Sequence, residues 1–215
     1  MQNCAILAHG GMIMINSNAP TCTAKCVEAP EWDKIEALQL QETGWLEPTG
    51  ISASAKICHD NENIYVRLEA TEENIRAQLT DPLSQVCEDS CVEFFLAHDI
   101  NDTRYINFEW NPLGTIYLGF GGGRATRMRL IVKKPNELFA PSPFHTENGW
   151  GIEFKVPAAF IRSFFPDFKL SGKCACNFYK CGDCTVAPHY LAWSRPLTEK
   201  PDFHRREFFG TLVFE

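Results

Sequence analysis

The sequence predicts an all-β protein, an antiparallel β-sandwich of jelly-roll or immunoglobulin-like type with one or two short helices. Three observations lead there. The chain carries about ten short runs with period-two alternation of apolar and polar residues. Turn residues separate those runs, and only one segment has helical character. With 215 residues, 45% of them hydrophobic, the chain is long enough for one sizeable core.

Residues 1–29 are small, polar and cysteine-containing without a period, and read as an irregular lead-in to a single domain over 30–215. The apolar start lacks a basic region and a small-residue cleavage site, so it reads as a ragged leader rather than an export signal. Segments 53–58 and 64–70 flank His59-Asp-Asn-Glu-Asn63, the pattern of a β-hairpin. Cys91-Val-Glu-Phe-Phe-Leu96 and 104–110 follow as strands, and Asn111-Pro-Leu-Gly114 has turn chemistry. Segment 115–120 is a strand, Gly121-Gly-Gly123 breaks it, and 127–133 resumes the pattern. After the alternating run 150–156, Pro157 stands at the first position of a short helix over 158–165. Segment 169–179 and the two terminal apolar runs complete the set. Between those last runs lies a long loop with Trp193, Phe203, His204, Arg205 and Arg206, side chains that commonly meet ligands.

The net charge of −7 argues against nucleic acid or an anionic membrane as partner. Ten cysteines without a clear export signal favour reduced thiols and a cytoplasmic location, with most of the thiols buried as small hydrophobes. Cys174, Cys176, Cys181 and Cys184 carry the residues of a four-thiolate zinc site or a redox pair. Strand parity, however, places Cys181 on the face opposite Cys174 and Cys176.

The same parity sorts the other strands. Ile106, Phe108 and Trp110 share one face of 104–110, and Tyr105, Asn107, Glu109 and Asn111 the other. Glu93 opposes Val92, Phe94 and Leu96, while Asn177, Tyr179 and Cys181 oppose Cys176 and Phe178. Three strands therefore offer carboxylates, amides and a phenol on a face away from the core. Such planar groups suit paired sugar hydroxyls, and a solvated sheet face gives the same alternation. Glu93 and Glu109 could also form the acid and base of a glycan hydrolase.

Six segments in order resemble the family 9 carbohydrate-binding modules, in their family-9-like branch. They are Trp32-Asp-Lys-Ile-Glu-Ala-Leu, Asp89-Ser-Cys-Val-Glu-Phe-Phe-Leu96, Tyr105-Ile-Asn-Phe-Glu-Trp-Asn-Pro-Leu-Gly114, Gly149-Trp-Gly-Ile-Glu-Phe-Lys-Val-Pro157, Asn177-Phe-Tyr-Lys-Cys-Gly-Asp183 and Trp193-Ser-Arg-Pro with Pro201-Asp-Phe-His-Arg-Arg-Glu-Phe-Phe-Gly210. The resemblance implies a sandwich of the DOMON type and non-catalytic sugar binding associated with glycoside hydrolases and polysaccharide breakdown. It also implies calcium as an optional ion, with no cofactor required. A mono- or oligosaccharide is the implied partner, alongside a possible second copy or an enzyme.

In that family two tryptophans sandwich the sugar ring. One position falls here at Val86 or Cys87, so that aromatic is missing, and Phe203 replaces the other. The implied binding set is Glu93, Asn107, Glu109, Asn177, Tyr179 and Phe203, with Arg205 or Arg206 at the rim. The missing ring leaves open a third reading, a structural or interaction domain whose sugar site has decayed. Met128 has no evident histidine partner, which argues against the haem of some DOMON relatives.

Overall fold

A computed structural model describes residues 19–46 and 50–215. The apolar start read as a leader lies outside them. Thirteen strands are present among the described residues. They are β1 (Thr21–Cys26), β2 (Leu38–Gln39), β3 (Ser52–His59), β4 (Asn63–Thr71), β5 (Cys91–Ala97), β6 (Tyr105–Trp110), β7 (Ile116–Gly121), β8 (Met128–Leu130), β9 (Ser142–Thr146), β10 (Gly149–Pro157), β11 (Gly172–Cys181), β12 (Tyr190–Ala192) and β13 (Gly210–Phe214). Two short helices, α1 (Pro135–Phe139) and α2 (Ala158–Arg162), accompany them.

The strands form two sheets joined through β1. One sheet runs β8-β7-β6-β5-β11-β13-β1, the other β1-β3-β4-β10-β9. β1 pairs parallel with β13 over residues 21–24 and then parallel with β3 at Lys25 and Cys26. The remaining ladders are antiparallel, so the sandwich is of the expected class but mixed rather than purely antiparallel. The lead-in is likewise not irregular throughout, because Thr21–Cys26 form this junction strand. Only Cys22 and Ala24 point inward from it, and such small side chains carry little hydrophobic signal. Strands β2 and β9 and helix α1 also escaped the sequence pattern. The helix after Pro157 is shorter than expected and ends at Arg162, with Pro157 closing β10.

The main core fills the space between the sheets. Phe94 of β5 stacks on Phe108 of β6 at 5.9 Å and on Phe178 of β11 at 5.2 Å, a row that locks the register of three strands. Trp110 is fully buried in the same layer, as its parity predicts.

A fully buried ion pair lies beyond this row. Lys180 Nζ is 3.1 Å from Glu72 Oε2 and 2.6 Å from His189 Nε2. Glu72 also accepts from Ser90 Oγ at 2.9 Å and from Trp150 Nε1 at 3.2 Å. Burial, then the Lys180 ammonium, lower the pKa of His189, so the neutral ring accepts from Lys180 and donates through Nδ1 to the Ala187 carbonyl. Removing one member leaves its partner's buried charge without the ion pair. Lys180→Met is expected to lose about 3–5 kcal/mol in urea unfolding, and adding Glu72→Leu to recover part of it.

Candidate functional site

Strands β5, β6 and β11 are buried on both faces. The face opposite the main core carries a second apolar cluster that includes Cys91, Phe95, Tyr105, Tyr179, Cys181, Phe203 and Phe209. Its cover is the strap of residues 193–209, which folds back over β11. The Asn177 amide holds the near end, donating to Ser194 O at 2.7 Å and accepting from Ser194 N at 2.9 Å. Tyr179 donates its hydroxyl to Phe203 O at 3.1 Å, and the two rings stack at 4.1 Å. Arg206 pins the far end by donating to the Asp99 and Ile100 carbonyls. Trp193 lies on Gly210, where a Cβ would stand 2.3 Å from the indole, so that close approach requires glycine.

Beside the strap lies a hollow of about 130 Å³, lined by Gln85, Cys87, Glu93, Glu109, Arg124, Arg127, Cys181, Asp183, Tyr190, Pro201, Asp202, Phe203 and His204. Glu93 and Glu109 are directly opposed across β5 and β6. Arg127 packs its guanidinium against the Tyr117 ring at 4.9 Å and donates to the Tyr117 hydroxyl at 3.3 Å. Arg129 lies on the same ring and donates to the carbonyls of Pro82, Leu83 and Ser84, tying down the segment that leads to Gln85 and Cys87. Arg124 pairs with Asp202 at 3.3 Å. Trp45 packs against Phe203 at 5.8 Å and against Tyr190 at 6.0 Å, and anchors its indole N–H on Thr198 O.

The sequence-derived residues therefore divide. Glu93, Glu109 and Phe203 meet in the hollow. Asn107, Asn177 and Tyr179 share their face but are sealed beneath side chains and the strap, so they support the hollow rather than line it. Asn107 donates to Glu109 Oε1 at 2.8 Å, and its own Oδ1 has no partner. Neither arginine of the expected rim lines the hollow. Arg206 is turned inward under the strap, and Arg205 pairs with Glu207. The expected Val86 or Cys87 position holds no ring, although Cys87 does line the wall. Sequence reasoning missed Arg124, Arg127, Asp183, Tyr190 and Trp45, and singled out His204 only as part of the ligand-facing loop. The loop arginine after Gly121-Gly-Gly123 was the available signal.

The cysteines also rearrange the expected zinc constellation. Cys174 and Cys176 belong to the main core, Cys181 faces the hollow side, and Cys184 is exposed, so these four do not converge. Among the described residues, the group of metal-ligating side chains that does converge is Cys91, Glu93 and Cys181, with ligand atoms within 4.8 Å. Calcium takes six to eight oxygen ligands. Two sulfurs and one carboxylate do not fit it.

The electrostatics of the hollow are strained. Burial, then repulsion from Glu109, raise the Glu93 carboxyl well above its usual range. Burial pushes Glu109 up to about 7, against the opposing pull of Arg127. His204 goes the other way, to about 2, through burial and the charges of Arg127 and Arg124. It is a neutral ring with Nδ1 2.9 Å from the Tyr105 hydroxyl.

The model of carbohydrate-binding family 9 matches residues 27–214. The chain belongs to carbohydrate-binding family 9. A solved Bacteroides uniformis protein described as carbohydrate-binding is similar at 28% identity and a TM-score of 0.79, over 92% of this chain and 100% of that one. Two solved structures of a family 9 carbohydrate-binding module from Caldicellulosiruptor kristjanssonii share the fold. The structure with cellotriose has 10% identity and a TM-score of 0.63 over 90% of this chain and 93% of that one. The one with glucose has 11% and 0.61 over 91% and 96%. No curated protein matches the chain. The family 9 match begins just after β1.

These pKa shifts set opposing pH slopes for the module's stability. A raised folded pKa means the native state binds the extra proton, so the Glu109 contribution falls as pH rises from about 4.5 to about 7. A depressed folded pKa does the reverse. The His204 contribution is present above 6.5 and is lost as pH falls toward 2. Between 4.5 and 6.5 His204 opposes Glu109, and the raised Glu93 carboxyl adds to the Glu109 slope. Urea titrations of His204→Asn should show stability declining more steeply with rising pH through that window than in the unsubstituted protein, and Glu109→Gln should show a shallower decline.

Proposed function

We propose that the hollow beneath the strap binds one sugar ring, either a monosaccharide or the terminal ring of an oligosaccharide, without catalysing a reaction. The observation that carries this reading is the meeting of Glu93 and Glu109 with the Phe203 ring, opposite Arg124 and Arg127, in one small concavity. Carboxylates accept from adjacent sugar hydroxyls, guanidinium groups donate to ring and hydroxyl oxygens, and an aromatic wall covers the C–H face. Membership of a family of carbohydrate-binding, non-catalytic modules supports it. So do the C. kristjanssonii module structures with cellotriose and glucose.

The small volume argues for an end-on ring rather than a long chain lying across the surface. With the aromatic absent at Val86 or Cys87, stacking is expected from Phe203 alone, whose ring Trp45 and Tyr190 pack against at 5.8 and 6.1 Å. Affinity is then expected to rest on the polar contacts more than on ring stacking.

Isothermal titration against a panel of mono- and oligosaccharides tests this. Binding of at least one sugar at millimolar concentration is expected, with Glu93→Ala abolishing it. Phe203→Ala should weaken binding several-fold, since an aromatic contact contributes about 1 kcal/mol beyond area burial. Heat from none of the sugars would sink the reading. Release of new reducing ends from the same oligosaccharides, lost in Glu93→Gln, would instead establish the hydrolase alternative.

A further inference from the structure

We infer that Cys91, Cys181 and Glu93 form a binding site for a thiophilic divalent cation such as zinc, set in the floor of the hollow. Cys91 and Cys181 are direct cross-strand partners on β5 and β11, and Tyr179 and Glu93 are the next paired residues on that face. Both cysteines and the glutamate are buried, and Cys181 Sγ lies 3.1 Å from Glu93 Oε1. Their donor atoms are all within 4.8 Å of one another.

Tetrahedral zinc with sulfur at about 2.3 Å and oxygen at about 2.0–2.2 Å keeps its ligands roughly 3.5–3.8 Å apart. The observed spacing reaches that with small side-chain rotations. Two thiolates and one carboxylate are three ligands from rigid strands, a donor set that selects zinc over calcium or magnesium. Glu93 and Cys181 both line the hollow, which gives the ion an entry path and puts its remaining position on the open side. Water or another oxygen donor would fill that position. Uptake releases the two thiol protons to solvent and leaves the oxidation state of the sulfurs unchanged.

The chemistry also fits what surrounds the cluster. Glu93, Glu109 and Asp183 gather around it, and Cys87 stands on the adjoining wall. A divalent cation offsets that accumulation of acidic groups. The site is separate from the four-cysteine set suggested by spacing alone, with which it shares only Cys181. It does not depend on sugar binding, and its test is read with no sugar present.

Fully reduced, chelator-stripped protein is titrated with zinc in competition with a chromophoric chelator, and in parallel with cobalt(II). One ion per chain is expected, with the intense visible bands of tetrahedral cobalt and a thiolate charge-transfer band. Cys91→Ser and Cys181→Ser should each weaken zinc by at least tenfold, and Cys184→Ser should leave it unchanged. The cobalt spectrum of the unsubstituted protein reports thiolate ligation even if a cysteine variant fails to fold. Absence of stoichiometric uptake overturns the proposal, as does a cobalt spectrum without thiolate bands. Uptake that survives Cys181→Ser in a folded protein overturns it too.

Discussion

The structure depends on closing the second face of the β6-β5-β11 sheet. An antiparallel sheet normally buries one side and wets the other. Here the outer side carries Phe95, Tyr105 and Tyr179, too much aromatic surface to leave in water, so it needs a lid. The strap of residues 193–209 supplies that lid, but its backbone groups must then find partners in a dry setting. Asn177 answers this at the strap's start by giving and taking one hydrogen bond with the Ser194 backbone. Tyr179 answers it at the middle and Arg206 answers from the strap toward the loop at residues 99–100. The hollow is what remains where the strap cannot reach Glu93 and Glu109.

Much of this was legible in the sequence. Period-two alternation assigned the faces of β5, β6 and β11 correctly, including Trp110 in the core and Glu93 and Glu109 together outside it, while the loop residue Phe203 came from the family resemblance. What parity cannot reveal is whether a second layer covers the outer face. Asn177 and Tyr179 therefore read as ligand contacts when their partners are strap backbone and the Phe203 ring. β1 was missed because its inward residues are Cys22 and Ala24, whose small side chains leave no apolar period, and because parallel pairing at a sheet junction has no local signature. Lys180 shares a parity with Phe178 that should exclude a charge. Only Glu72, more than a hundred positions away in sequence, makes its burial possible.

The hollow owes its character to an imbalance of charge. Two carboxylates opposed across a non-polar sheet repel one another, and a glutamine at either place would relieve the strain at once. The protein instead surrounds them with compensations of partial strength. Asn107 donates to Glu109, Cys181 donates its thiol to Glu93, and Arg127 faces Glu109 while resting on Tyr117. His204 does not add to the positive side, since the same burial and the same arginines keep it neutral. Each carboxylate thus keeps acceptor capacity that no protein donor uses up. Unspent acceptors on rigid strands, beside an aromatic wall, are the condition for recognising hydroxyl groups at low reorganisation cost. The strain in the unliganded pair and the capacity to bind are the same physical fact.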